Sequence, residues 1–330
     1  MKTLTFLVPC YNVSDCVGRC MDSMLDDDIV NDIEILLIND GSTDDTLAVL
    51  QDYERRYPTV VRVIDKANGG WGTAINIGIR EAKGKYIKEV DADDWVCSEE
   101  LPAYIAFLKE NDIDYIATEY TEYFKADDKH IRHSYKEEIY DKQISLNDFW
   151  EHHPTAWDFP IHAITYRTQM LQDAGIKVGE RYYGDIEYNL YPLPHVQTIC
   201  VLPYNVTVYF RGSDGQSTST VGYAKHYKDY AAMSQRITQF LTDAPRTMQP
   251  NLYNFIEETV RGTVAKAYYL MMSPVYAGKL DDAKKELKRY DNWLKETDKE
   301  LYKYCGRQKK HGVSFIRFWR LTGINLLKMR

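Results

Sequence analysis

Four short runs of β-branched and aliphatic residues alternate with amphipathic stretches in the first hundred residues. The runs that predict strands are residues 4–8, 33–38, 60–64 and 86–90. Between the first two runs, Val17, Met21 and Met24 have the spacing of one helix face, and similar patterns separate the later runs. Successive parallel strands need a crossover helix, so the repeated strand–helix–strand unit predicts a mostly parallel, doubly wound α/β sheet of the Rossmann-like kind.

The distribution of charge divides the chain into two parts. Residues 1–215 contain 20 basic and 38 acidic residues, whereas residues 216–330 contain 21 basic and 11 acidic residues. From residue 223 onward Gly and Pro become rare and helical spacing continues to the end. We therefore predict one α/β domain over residues 1–217 and a basic helical C-terminal module over residues 218–330.

Membrane-spanning and secreted classes do not fit this sequence. No apolar run reaches the roughly 18–20 residues needed to cross a bilayer, and the N-terminus lacks the apolar region of a signal peptide. The 6 cysteines include no Cys-x-x-Cys pair and have no histidine at zinc spacing. Reduced structural thiols and a cytoplasmic location are therefore expected.

Polar turns follow all four predicted strands. The carboxyl ends of parallel strands meet at one rim of an open α/β sheet, and ligands bind there. A nucleotide-sized site is therefore expected at this rim. The turns are Pro9-Cys10-Tyr11-Asn12, Asn39-Asp40-Gly41-Ser42, Asn68-Gly69-Gly70 and Asp91-Ala92-Asp93-Asp94.

The last of these turns carries the sharpest signal for a metal. Asp91 and Asp93, two residues apart after a buried strand, can direct their carboxylates to one side. Mg²⁺ or Mn²⁺ is commonly held by one or two carboxylates together with substrate phosphates, and it neutralises charge that builds on a departing diphosphate. The alternative is a helix cap, with Asp93 or Asp94 preceding the helix predicted over residues 99–111.

Taken in order, these motifs resemble the family 2 glycosyltransferases of the GT-A fold, in particular those of bacterial capsular and exopolysaccharide synthesis. The resemblance is dense over residues 3–125 and continues more weakly to about residue 217. It implies an inverting transferase that uses a nucleotide sugar, usually UDP-linked, and Mn²⁺ or Mg²⁺. The matching segments are Val8-Pro9-Cys10-Tyr11-Asn12, residues 38–46, Asn68-Gly69, Asn76-x-Gly78, residues 82–87 and Asp91-Ala92-Asp93-Asp94.

The resemblance also implies roles for single residues and divides the catalytic domain into a nucleotide-sugar-binding part, 1–125, and an acceptor-side part, 126–217. Asp40 would hydrogen-bond the uracil ring. Asp91 would lie near the ribose and the metal, and Asp93 would bind the metal. The other implied nucleotide-sugar contacts are Pro9, Tyr11, Asn12, Asn68, Gly69 and Arg211, the last as an anion clamp near the diphosphate.

An inverting displacement needs a base that takes the proton of the acceptor hydroxyl. The family often places an Asp for this purpose in a Glu-Asp pair at the start of a helix. The corresponding stretch here predicts Asp185 as the base, with Glu187 as the fallback and a helix cap as the alternative role of Asp185. Trp157, Tyr182 and Tyr183 are candidates for stacking on an acceptor sugar, and packing is their alternative role.

The sequence departs from the family pattern at three positions. Gly184 stands where Glu is common, Ile75 replaces a frequent Arg, and Glu89 replaces an apolar residue just before the metal motif. Two other functions were weighed. A nucleotidyltransferase would normally have a basic, Gly-rich phosphate loop, which residues 9–15 lack. A non-catalytic sugar-binding or scaffold protein would be favoured by loss of Asp93 or Asp185, and both are present.

The C-terminal segment predicts an amphipathic helix with a basic side. At helical spacing Arg317 and Arg320 fall opposite an apolar arc made of Phe315, Ile316, Phe318, Trp319 and Leu321. Such a helix suits peripheral contact of residues 309–330 with the inner face of the cell membrane, and hence a lipid-linked glycan acceptor. The alternative is packing on the protein body or on another subunit of a homo-oligomer. The acidic catalytic domain argues against nucleic acid as a partner.

Overall fold

The computed structural model describes residues 2–140, 143–153, 157, 159–212, 220–244, 247–273, 280–309, 312–325 and 327, with the side chains of residues 220, 280 and 281 excepted. The chain divides into two compact units, Met1–Ser213 and Asp214–Arg330. The sequence prediction put the division after residue 217, which lies outside the described residues. The two units are described in turn.

A mixed sheet, ten-stranded within the described residues, forms the centre of the first unit. Its strands are β1 (Leu4–Cys10), β2 (Ile33–Asp40), β3 (Val61–Lys66), β4 (Tyr86–Glu89), β5 (Trp95–Val96), β6 (Tyr115–Phe124), β7 (Lys129–His133), β8 (Ile144–Ser145), β9 (Ile164–Arg167) and β10 (Thr198–Arg211). The order is β3-β2-β1-β4-β9-β6-β10-β5, with β7 beside β6 and β8 beside β10.

The helices of the first unit connect these strands. They are α1 (Val17–Met24), α2 (Thr46–Arg56), α3 (Trp71–Glu81), α4 (Leu101–Glu110), α5 (Leu146–His152), α6 (Thr168–Asp173) and α7 (Gly184–Leu190). Strands β3, β2, β1 and β4 are parallel, and β6 is parallel to β10. The predicted doubly wound α/β sheet is present, but β9 runs antiparallel between β4 and β6.

The apolar runs that predicted the strands form the core. Every residue of β2 is buried, as expected for a strand with neighbours on both sides and a helix layer on each face. Helix α1 turns Val17, Cys20 and Met21 towards the same core. Gly78 lets α3 lie close to β1, since a Cβ atom there would come within 2.2 Å of Leu7 Cδ1. These contacts fix the strand ends, and the turns that follow them, at one rim.

The second unit is helical in its described part. Its helices are α8 (Thr220–Asp243), α9 (Pro250–Met272), α10 (Leu280–Thr297), α11 (Lys299–Arg307) and α12 (Phe315–Thr322). Helix α8 contains a kink at His226. None of the described helices combines the length and the apolar character that crossing a bilayer requires.

The prediction that Arg320 lies on a solvated basic face of the last helix is wrong. Its Nε donates to Asp291 Oδ1 at 2.7 Å, and its Nη2 donates to the Tyr268 hydroxyl at 3.0 Å. The side chains of Arg320 and Asp291 are each only 12% exposed. The buried Asp291 on α10 pairs with Arg320, so Arg320 lies on the packed side of α12 with Phe315 and Ile316.

Candidate active site

The turn after β1 is joined to the turn after β2 through Asn12. Its φ is 52°, a left-handed conformation that Asn adopts more readily than most residues. The Asn12 Oδ1 accepts a hydrogen bond from Thr43 N at 2.8 Å, and Asn12 N donates to Ser42 Oγ at 3.0 Å. Half-buried Pro9 and 50% exposed Tyr11 precede it. The two turns thus form one continuous surface at the rim.

Asp40 organises the third turn of the rim. Its carboxylate accepts hydrogen bonds from Gly69 N at 2.9 Å and Gly70 N at 2.8 Å, and it forms an ion pair with Lys66. The Asn68 Nδ2 donates to the main-chain oxygen of Asp40 at 2.9 Å. Asp40 is only 4% exposed. The structure therefore gives it a positioning role for Asn68 and Gly69, and its contact with a uracil ring stays a prediction.

A segment from the second half of the unit lies against the start of α3. Gly72 N donates to Glu180 O at 3.0 Å, and the Asn76 amide exchanges two hydrogen bonds of 2.9 Å with the main chain of Val178. The approach is close, since a Cβ atom on Gly72 would lie 1.8 Å from Gly179 O. These contacts bring residues 178–181, which lead into α7, to the rim.

Asp185 lies in the first turn of α7 and is exposed. The helix follows Tyr183, whose φ of 68° turns the chain sharply. The preceding Gly184 explains one departure from the family pattern. A Cβ atom at this position would lie 3.0 Å from the Trp71 ring, so the Glu that is common there would require this ring to shift.

Glu187, the fallback base, is buried and holds the backbone. Its two carboxylate oxygens accept hydrogen bonds from Gly179 N and from the Tyr191 hydroxyl, each at 2.8 Å. The side chain has no exposed surface. Asp185 is exposed where Glu187 is buried, and the role of Asp185 as the base stays a prediction.

The carboxylates of Asp91, Asp93 and Asp185 lie close enough together to affect one another. Burial raises the pKa of Asp91 to about 6, and the charges of Asp93 and Asp185 add to the rise. These residues come from opposite halves of the unit. Their proximity is a repulsive arrangement, which a bound cation relieves.

The remaining acids beside the motif are buried. Asp94 Oδ1 accepts a hydrogen bond from Phe210 N at 2.7 Å, which links the motif to β10. Burial raises the pKa of Asp94 well above its usual range. Glu89, 1% exposed, is hydrogen-bonded to Asp91, and burial raises its pKa as well. Glu89 thus adds a second buried carboxyl beside Asp91.

Arg19 is a residue that the sequence interpretation missed. Its Nη2 donates to the main-chain oxygen of Asp93 at 2.5 Å. Its guanidinium lies 4.0 Å from the ring centre of Trp95 and 4.9 Å from that of Phe210, the range of cation–π contacts. A single Arg on the polar side of an amphipathic helix carries no sequence signal for this role, since the partner lies 74 residues away.

Arg211 stands at the end of β10 and forms an ion pair with Glu122. Its Nε and Nη2 donate to Glu122 Oε1 at 2.8 and 2.6 Å, and its guanidinium lies 4.5 Å from the ring centre of Tyr209. Burial raises the pKa of Tyr209 to about 12, and the carboxylates of Asp91 and Asp93 contribute to the rise. This strand end therefore lies near the Asp motif.

The three candidate acceptor residues differ in environment. Tyr182 is 41% exposed, next to α7, whereas Tyr183 is only 7% exposed. Trp157 stacks on Trp150, with ring centres 5.0 Å apart and an angle of 16° between the planes, and it also contacts Tyr115. Tyr182 is thus the most exposed of the three, and an acceptor role for any of them stays a prediction.

The profile described as glycosyl transferase family 2 matches residues 5–164. These residues, just under half of the chain, identify it as similar to the glycosyl transferases of family 2. Two relatives in this family show the extent of the similarity. The glycosyltransferase EpsJ of Bacillus subtilis is 28% identical over 211 residues, which are 62% of this chain and 60% of EpsJ. The poly(ribitol-phosphate) beta-glucosyltransferase of Bacillus spizizenii is 38% identical over 113 residues, 34% of this chain and 18% of that enzyme.

The chain thus matches less than two thirds of the length of these family 2 relatives. A solved structure extends the comparison to nearly the whole chain. TarS residues 1–349 of S. aureus superimposes with a TM-score of 0.60 at 16% identity, covering 98% of this chain and 92% of the TarS chain. This similarity confirms the predicted GT-A fold with C-terminal helices.

Proposed function

We propose that this chain is an inverting, metal-assisted glycosyltransferase that moves a sugar from a UDP-linked donor to a hydroxyl of a glycan or lipid-linked glycan. One observation carries the proposal. Asp185, exposed in the first turn of α7, lies close enough to Asp91 for its charge to raise the pKa of that carboxyl, so a candidate base lies near a candidate metal ligand. The similarity to family 2 supplies the reaction class.

The proposed reaction is a single displacement in which Asp185 accepts the proton of the acceptor hydroxyl. The hydroxyl oxygen then bonds to the anomeric carbon, on the face opposite the diphosphate. The bond from that carbon to the diphosphate oxygen breaks, and the nucleoside diphosphate leaves with its electron pair. Because Asp185 is exposed and lies on the first turn of α7, an acceptor can approach it from solvent.

The residues of the motif fit a divalent cation that substrate completes. Asp91 and Asp93 are half-buried at the rim, and hard oxygen ligands suit Mg²⁺ or Mn²⁺. No set of three or more His, Cys, Asp or Glu side chains able to hold a metal occurs in the described part of the chain. Two carboxylates plus the donor diphosphate are therefore the expected ligands. When bound, the ion neutralises charge on the leaving diphosphate.

The donor contacts follow the turns of the rim. Tyr11 and Asn12 in the first turn, and Asn68 and Gly69 in the turn that Asp40 orders, are the proposed nucleotide contacts, beside Pro9. Arg211 is proposed to reach the diphosphate while Glu122 holds its guanidinium in place. The preference for UDP draws on TarS, which has been solved with UDP and with UDP-GlcNAc. PcManGT, a mannosyltransferase from Pyrobaculum calidifontis, was solved with GDP-Man and Mn²⁺, so GDP sugars are the alternative donors.

Replacing Arg19 by Met should weaken Mn²⁺ binding by about 10- to 100-fold, the usual effect of removing a group that orients a metal ligand. Loss of the hydrogen bond to Asp93 O frees the motif to move. Isothermal titration of Mn²⁺ into the protein–UDP complex measures this affinity. Binding of UDP without metal should change little.

Two variants control for the loss of a positive charge and of stacking. Arg55→Met, on the exposed side of α2, should leave Mn²⁺ affinity unchanged. Arg19→Lys keeps a donor but loses the planar stack, so an intermediate affinity is expected. Equal Mn²⁺ affinity in wild type and Arg19→Met would contradict the positioning role.

The acceptor and the location complete the proposal. Tyr182 is the proposed stacking platform for an acceptor sugar, beside the proposed base. The proposed location is the cytoplasm, with peripheral contact to the inner face of the cell membrane through residues 309–330. Nucleic acid is not among the proposed partners, and self-association into a homo-oligomer is left to measurement.

A panel of nucleotide sugars tests the proposed reaction. The protein is incubated with UDP-, GDP- and CMP-linked sugars, with Mn²⁺ or with chelator, and release of the free nucleotide is measured. The expected result is Mn²⁺-dependent release from at least one UDP-sugar. If UDP-sugars neither bind nor react under any metal condition, the proposed donor is wrong. Pyrophosphate release instead would indicate the nucleotidyltransferase alternative, and binding without turnover would indicate the non-catalytic one.

A further inference from the structure

The exposed side of α10 carries a row of lysines next to α12. Asp291, which bonds Arg320 of α12, marks the flank of α10 that faces α12. At about 100° per residue, Lys285, Lys288 and Lys295 fall on that same flank, together with Lys284 and Asn292. The lysines are exposed. Among the described acids of α10, Asp282 and Glu286 lie on its other side, whereas the exposed Glu296 falls next to Lys285 in this projection.

Exposed aliphatic side chains are also present on and around α12, the helix that Arg320 joins to Asp291 of α10. On and after α12, Leu321 is 76% exposed and Ile324 is 49% exposed, while Val313 before the helix is 46% exposed. Arg317, on the same outer side of α12, is also exposed. Large aliphatic residues exposed to this degree cost free energy in water unless a partner covers them.

We propose that the lysine flank of α10 and the exposed edge of α12 together form one peripheral docking surface for an anionic lipid bilayer. Lysines near an anionic surface each contribute attraction, and aliphatic side chains insert among the headgroups. This proposal deepens the membrane contact of the proposed function, because it adds α10 as the electrostatic half. In this proposal Arg320 is not a lipid contact, because its side chain bonds to Asp291 and fixes α12 on α10.

The charge pattern favours a bilayer over a soluble polyanion as the occupant. A soluble anionic chain needs cations but gains nothing from Leu321 or Ile324, whereas a bilayer engages both. Within the described residues, none of Lys285, Lys288 and Lys295 forms an ion pair. Their charges are therefore available to lipid headgroups.

Vesicle co-sedimentation of the full chain tests this surface. The probes are vesicles of phosphatidylcholine alone and of phosphatidylcholine with 30% phosphatidylglycerol. Wild type should bind the anionic vesicles and be released by high salt. The triple variant Lys285→Gln/Lys288→Gln/Lys295→Gln should bind about 100-fold more weakly, since each lysine near such a surface is worth about 1 kcal/mol. Leu321→Ser should weaken binding by about 10-fold.

A matched triple variant has the same change of charge elsewhere. Lys83→Gln/Lys129→Gln/Lys136→Gln removes three exposed lysines of the first unit and should bind within about 3-fold of wild type, because these lie outside the proposed surface. Failure of wild type to bind anionic vesicles, or equal losses in the two triple variants, would overturn the proposal. Binding to dextran sulfate but not to vesicles would also overturn it. Neither donor nor acceptor is present, so the outcome is independent of glycosyl transfer.

Discussion

Asp185→Asn should lower the rate of glycosyl transfer by about 10²- to 10⁴-fold, the usual contribution of a general base. Asn has the same shape but cannot take the proton from the acceptor hydroxyl. The first turn of α7 should keep its conformation because Asp185 is exposed. The measurement is kcat with a saturating UDP-sugar, alongside the Kd of UDP, which should stay within about 2-fold if the role is catalytic.

Glu187→Gln is the matched control. Its carboxylate accepts hydrogen bonds from Gly179 N and the Tyr191 hydroxyl, so the amide leaves one buried partner poorly satisfied. The expected result is a loss of about 1–3 kcal/mol in the free energy of unfolding, with much smaller loss of kcat in the folded protein. Full transfer by Asp185→Asn together with no transfer by a folded Glu187→Gln would reverse the assignment.

Asp93→Asn should reduce metal-dependent transfer on the order of 10²- to 10³-fold, because charge stabilisation by a metal is worth several kcal/mol. Asp94→Asn is its neighbour control. Asp94 is buried, and its Oδ1 accepts a hydrogen bond from Phe210 N, which an amide oxygen also does. A small effect is therefore expected at Asp94, with rates measured over a series of Mn²⁺ concentrations. Equal losses at the two positions would show that the motif acts through its fold and not as a metal ligand.

The pH dependence of Mn²⁺ affinity is a second test of metal binding by the Asp motif. Burial raises the pKa of Asp91 to about 6, and a carboxyl must lose its proton to bind a metal. Because this pKa is raised, protons compete with Mn²⁺ for the Asp91 carboxylate at a higher pH than they would for an ordinary Asp. The affinity for Mn²⁺ should thus be steady above pH 7 and weaken as pH falls through about 6, by about tenfold at pH 5. An affinity that is constant from pH 8 to pH 5 would contradict a role of Asp91 in metal binding.

The strand order near the N-terminus could be predicted because it depends on local pattern. The runs around β1 and β2 are buried on both faces, so their side chains are almost uniformly apolar. The later part of the sheet could not be predicted as well. Strand β9 contains only the four residues Ile164–Arg167. Their pattern does not indicate that the strand lies antiparallel between β4 and β6. That position depends on partners far away in sequence.

In the candidate site, too, some features could be predicted from the sequence and others could not. The turn residues Asp40, Asp91 and Asp93 could be named from motifs that follow strands. The motif could not show that the Asp40 carboxylate accepts hydrogen bonds from the main-chain amides of Gly69 and Gly70. The sequence ranked Asp185 above Glu187 by resemblance alone, and it could not show that Glu187 is buried and bonded to Gly179 N and the Tyr191 hydroxyl.

The sequence by itself determined the alternating strands and helices of the first hundred residues, the polar turns that follow those strands and the basic character of the C-terminal part. These depend on residue type and on spacing within a few turns. Only the tertiary structure decided that Arg19 holds the Asp93 carbonyl, that Gly184 makes room for Trp71, and that Arg320 is buried against Asp291. Each of these is a contact between residues distant in the chain, and residue type at one end says nothing about the other.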